Sequence, residues 1–141
     1  MPSKNEYHIV LTPDTAEQID ARGENRSFTI RRDLDRLYTL YQRNLPRNLT
    51  EGDACLIVDV LNGTIMDANN ARMLWAEVED GCSLEGLAEK WEVDGPALVE
   101  KLKQLNDVQA LAVVDAAEGF WTKHDQGDMR EIVREVFRIR E

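Results

Sequence analysis

Through residues 7–12 the side chains fall alternately on two faces, with Tyr7, Ile9 and Leu11 on one and Glu6, His8, Val10 and Thr12 on the other. The first face is wholly apolar, which predicts a short strand. A single strand with no hairpin partner nearby cannot satisfy its own backbone, so it must pair with a distant strand or with a second copy of itself. Self-pairing makes an obligate homodimer. From residue 13 the period lengthens to three and four. Thr12-Pro13 is a helix start, because proline at the first helical position has no N–H to lose and its φ is preset. Ala16 and Ile19 give that short helix, residues 13–22, a narrow apolar stripe, and Gly23 ends it. Asn25 or Ser27 can cap the next helix. There Phe28, Ile30, Leu34, Leu37, Tyr38 and Tyr41 recur at helical spacing as far as Leu45, and Pro46 forbids continuation.

Residues 46–49 read as a linker, after which Thr50-Glu51-Gly52-Asp53 is a capped start with acidic residues in the first turn. Residues 54–61 are apolar apart from Asp59, dense enough for a helix buried nearly all round, and Asn62-Gly63 is its stop. One amphipathic helix is expected over residues 65–80. Ser83 caps another over 84–91, and Asp94-Gly95-Pro96 starts a third with Leu98, Val99, Leu102 and Leu105 inward. The last two read as a plain helical hairpin, since a DNA-reading second helix would offer only Lys101 and Lys103 against Asp94 and Glu100. Asn106 or Asp107 caps residues 108–117, which end at Glu118-Gly119-Phe120-Trp121. Finally Met129, Ile132, Val133, Val136 and Phe137 line a terminal helix whose Arg130, Arg134 and Arg138 read as a solvated row; it packs back on the second core or docks on another subunit. The expected fold is mainly α: a strand-helix-helix module over residues 1–47 and an all-α domain over 48–141.

Charge divides the chain at the same place. Residues 1–47 hold eight Lys/Arg and seven Asp/Glu, a net of +1, leaving nine of the 17 basic and 20 of the 27 acidic residues, a net of −11, to the rest. An acidic domain repels nucleic acid at long range, so any DNA contact must come from the first third. The polar residues 1–6 and the absence of a long apolar run predict neither a signal peptide nor a membrane span, hence a cytoplasmic protein. Cys55 and Cys82, each in or beside an apolar segment, read as reduced, buried thiols.

The strand, the Thr12-Pro13 helix start, the Gly23 turn, and Asn25-Arg26-Ser27 with Ile30 and Leu34 together resemble the ribbon-helix-helix family of DNA-binding dimers, over about the first third of the chain. The resemblance implies an antiparallel two-chain ribbon in the major groove and a phosphate held at the second helix's N-terminus. Carried over, His8 and Val10, with Glu6, would face the bases. Arg26 and Ser27 would meet phosphate, and Arg31 on the same helix completes the DNA-binding candidates. Two features depart from the family: the first helix is about a turn short, and the base-facing side has no Arg, Lys, Asn or Gln.

No phosphate loop, nucleophile elbow or zinc signature occurs, and the histidines, His8 and His124, are far apart, so no enzyme, cofactor or metal is expected. Residues 67–70 lack the Gly and closing Glu of a calcium loop. Asp59 is the one buried-carboxylate candidate, more readily an edge or capping group than a catalyst. Two functions fit these residues. One is a dimeric DNA-associated protein, a small transcriptional regulator with an acidic helical effector or oligomerisation domain. The other is an acidic protein–protein interaction protein whose N-terminal module only dimerises.

Overall fold

The structure, a computed structural model, describes residues 11–23, 25–81 and 84–140. The chain divides into two compact units, Met1–Thr39 and Leu40–Glu141. The division falls inside the second helix rather than at the Pro46 linker.

In the first unit, α1 (Pro13–Asp20) starts where Thr12-Pro13 directs: the Thr12 hydroxyl accepts from the Thr15 N–H at 3.2 Å and Pro13 occupies the first turn. Gly23, at φ +69°, supplies the left-handed residue of the turn that follows. α2 (Arg26–Asn44) opens with the Asn25 side chain accepting from the Phe28 N–H at 3.3 Å. Two ion pairs join the end of α1 to the start of α2: Arg26 grips Asp20 with both nitrogens at 2.7 Å, and Arg22 meets Asp33 at 3.0 Å.

The strand is corrected. Tyr7, His8, Ile9 and Val10 lie outside the described residues, and Leu11 and Thr12 are the lead-in and cap of α1, not a strand. The Thr12 side chain is committed to the helix, and Pro13 has no N–H to offer a ladder, so extended pairing cannot run past that point. Among the described residues every regular element is helical. The mixed strand-and-helix architecture of a ribbon-helix-helix module therefore gives way to an all-helical one.

The second unit is built around α3 (Glu51–Leu61), in which Ala54, Cys55, Leu56, Ile57 and Val58 have no exposed surface. Around it lie α4 (Ala68–Ala71), α5 (Leu74–Asp80), α6 (Leu84–Trp91), α7 (Gly95–Lys103), α8 (Asp107–Lys123) and α9 (Met129–Val136), with a 3-10 turn at residues 124–126. α5, α6, α8 and α9 all touch α3, and α7 packs chiefly on α5. The local chemistry follows the sequence closely at most starts. Asp94 and Asn106 accept from the N–H groups of Ala97 and Gln109. Asn62 and Gly63, both left-handed, end α3.

Three details differ from the pattern. Residues 65–80 make two helices: Asp67 caps a single turn, α4, the chain breaks at Met73 before α5, and Ala71, Leu74 and Val78 are buried in the core. α8 runs through Gly119 to Lys123; a mid-helix glycine costs about 1 kcal/mol, which burial of Ala116, Ala117 and Phe120 offsets. Residues 46–49 are no free linker, since Leu49 is buried and the Asn48 carbonyl accepts from the Lys101 ammonium at 3.0 Å. Of its two expected placements α9 takes the first, packing back on α3 and α8 and burying Ile132, Val133 and Phe137.

The start of α3 is closed by a capping box: Thr50 Oγ1 accepts from the Asp53 N–H at 3.1 Å, and Asp53 Oδ2 accepts from the Thr50 N–H at 3.0 Å. The Asp53 side chain is only 6% exposed and Lys101 neutralises it at 2.9 Å. Cys55 lies in the same helix, and burial pushes its thiol up to about 11. It is a free, protonated side chain acting as a small hydrophobe.

Two outcomes follow from this core. Lys101→Met leaves the Asp53 charge without its counterion and should cost about 1–3 kcal/mol in denaturant unfolding; a cost below about 0.5 kcal/mol would place the pair with ordinary surface ion pairs. Asp115 on α8 has its carboxyl pushed upward by burial. A folded-state pKa above the unfolded one means a penalty present at neutral pH and relieved as pH falls through the raised value. Asp115→Asn should therefore raise the thermal midpoint at pH 7 and leave less stability to be gained between pH 7 and the unfolded aspartate range near about 4; melting curves across that range check it.

Candidate interaction surfaces

Of the five residues expected to contact DNA, His8 and Val10 lie outside the described residues. The other three sit on the first turns of α2, where Arg26, Ser27 and Arg31 are exposed. Arg26 meets Asp20 fork to fork, with Nε on Oδ1 and Nη2 on Oδ2, both at 2.7 Å. This is the strongest geometry available to a guanidinium and a carboxylate. The hydrogen bond from Arg26 also holds the Asp20 carboxyl below the usual carboxylate range, so the pair stays ionised into acid. Arg31 Nε donates to the Ser27 carbonyl at 3.4 Å. The N-terminus of α2 thus presents a closed ion pair where the family resemblance implies an open phosphate clamp.

The remaining feature of the first unit is apolar. Phe28 is 53% exposed, Leu34 39%, Leu37 37% and Tyr38 50%, while Thr29 between them in sequence is fully buried. Positions 34, 37 and 38 stand three and four residues apart and so share one face of the helix. Isolated exposed leucines are ordinary; two leucines and an aromatic grouped on one helix face form a candidate interaction surface. Arg32 lies over the Phe28 ring, its guanidinium carbon 5.6 Å from the centroid, and adds a cationic edge.

In the second unit the carboxylates singled out by sequence serve structure. Asp59 Oδ2 accepts from Trp91 Nε1 at 2.8 Å and from Lys90 Nζ at 3.1 Å, which ties α3 to the end of α6. Asp67 Oδ1 accepts from the Asn70 N–H at 2.8 Å as the cap of α4. His124 Nδ1 lies 2.6 Å from the Trp121 carbonyl. Among the described residues no group of three or more His, Cys, Asp and Glu side chains could hold a metal ion, and no helix is long and apolar enough to cross a membrane.

The arginine row of α9 is where sequence reasoning fell short. Arg130 reaches Glu51 at 3.1 Å and lies 5.2 Å from the centre of the Trp91 ring, and Arg134 approaches Glu51 at 3.9 Å. These side chains clamp α9 onto the first turn of α3 and the end of α6. Partners 79 residues apart leave no periodic signal, although the acidic first turn of α3 already calls for a cation or an exposed setting. No family model, curated protein or solved structure matches the chain.

Proposed function

We propose that the protein is a self-associating interaction protein, in which two copies join through the apolar face of α2 and the helical second unit is what the pair offers to other proteins. The observation that supports this reading is the exposure of Phe28, Leu34, Leu37 and Tyr38 on a single helix. Covering the remaining apolar surface of such a side chain gains about 1 kcal/mol. A symmetric pair covers the six contributed by Leu34, Leu37 and Tyr38, which share a face, for roughly 6 kcal/mol gross, against an association cost on the order of 4–15 kcal/mol. The balance places pairing in a concentration-dependent regime. A phosphate-binding role asks more of the same helix, because Arg26 would have to leave Asp20 and lose two short charge-assisted hydrogen bonds.

Sedimentation of the full chain across micromolar concentrations tests the proposal. Wild type should shift from monomer to dimer, and Leu34→Glu with Leu37→Glu should remain monomeric while keeping its helical circular dichroism. A wild type that stays monomeric throughout defeats self-association. Salt-sensitive retention of random duplex DNA that Arg26→Ala abolishes would instead favour the DNA-associated regulator.

A further inference from the structure

The segment joining α2 to α3 and the residues that follow α9 line an open groove of about 740 Å³, all of it within the second unit. Its charge runs against that of the chain. Arg47, Arg138 and Arg140 line it, and none of the three makes an ion pair among the described residues. The one carboxylate on its wall, Glu51, is already held by Arg130 at 3.1 Å. A protein of net charge −10 therefore carries, among the described residues, a concave surface whose uncompensated charge is positive.

Backbone geometry singles out Arg138 among these. It sits at φ +53°, just past the end of α9, where the Ile139 N–H closes back on the Arg134 carbonyl at 2.9 Å. That position normally falls to glycine, because a side chain in the left-handed region is strained. Non-glycine residues held in sparsely populated conformations concentrate at functional sites. Here the strain places an arginine on the groove wall.

On the opposite wall the Asn48 carbonyl is already engaged by Lys101 at 3.0 Å. Leu45 and Ile139, both partly exposed, give the groove some apolar surface.

We propose that this groove binds an acidic peptide segment of a partner protein in extended form, with its Asp or Glu side chains on Arg47, Arg138 and Arg140 and its aliphatic side chains on Leu45. Charge complementarity identifies the occupant. Its three arginines suit a row of carboxylates, and the partly exposed Leu45 gives an aliphatic side chain a seat that a bare anion would not use. The site is independent of α2 pairing, since none of the exposed apolar residues of α2's first unit lies in it.

The test is fluorescence anisotropy on the full chain, using a labelled peptide of alternating Glu and Leu and a Lys-Leu counterpart. The Glu-Leu peptide should bind, and its affinity should fall steeply with salt. Arg138→Gly relaxes the backbone, so the thermal midpoint should hold or rise while peptide affinity falls several-fold; Arg47→Glu with Arg138→Glu should weaken binding by about tenfold or more. Arg72→Ala, outside the groove, should leave affinity unchanged. The proposal is overturned if neither peptide binds, if both bind equally, or if Arg138→Gly has no effect. It is equally overturned if inorganic phosphate displaces the peptide at concentrations comparable to the peptide's own Kd, which would make the groove a small-anion site.

Discussion

A helix that is apolar on every side must be covered on every side, and the second unit is the solution to that constraint for α3. Its five consecutive fully buried residues leave no solvated face, so its ends must satisfy their own polar groups. At the N-terminus Thr50, Asp53 and Lys101 do so together. Gly52 is required there as well: a Cβ would stand 2.9 Å from the Trp91 carbonyl oxygen and 3.0 Å from a Val93 methyl. The turn between α6 and α7 is thereby seated against the first turn of α3. Asp59, through Trp91 and Lys90, repeats the tie farther along the helix.

Charge is used in two ways. Some acidic residues of the second unit close helix ends or hold cations, as Glu51 holds Arg130 and Asp53 holds Lys101, and the others give the surface its net negative field. In the first unit Arg22 and Arg26, though exposed, are committed to carboxylates of the same unit and stitch α1 to α2. A sequence count of basic residues cannot distinguish a cation available to a ligand from one already committed. That difference decides how the first third of the chain is understood.

Local chemistry was legible at most motifs that act within four residues, the Asp67 cap of α4 being the exception. Thr12-Pro13, Thr50 with Asp53, Asn62-Gly63, Asp94 and Asn106 all cap or end the helices their side chains suggest. Periodicity also identified α3 as the most buried element. Long-range competition was not legible. Residues 65–80 break at Met73, and α8 passes Gly119 because tertiary burial outweighs a local breaker. The resemblance to a ribbon-helix-helix module rested on a strand that the described residues do not include, and on an Arg26 that Asp20 proves to occupy. The exposed face of α2 was visible as a stripe, but periodicity says only that a helix has an apolar side, not what covers it.

Whether the apolar face of α2 is covered by a second copy can be read directly by amide hydrogen exchange at several protein concentrations. If it is, exchange across residues 26–39 slows as concentration rises through the micromolar range, while residues 54–58 of α3, already shielded within one chain, exchange at a rate independent of concentration. Exchange in α2 that does not respond to concentration would contradict the account.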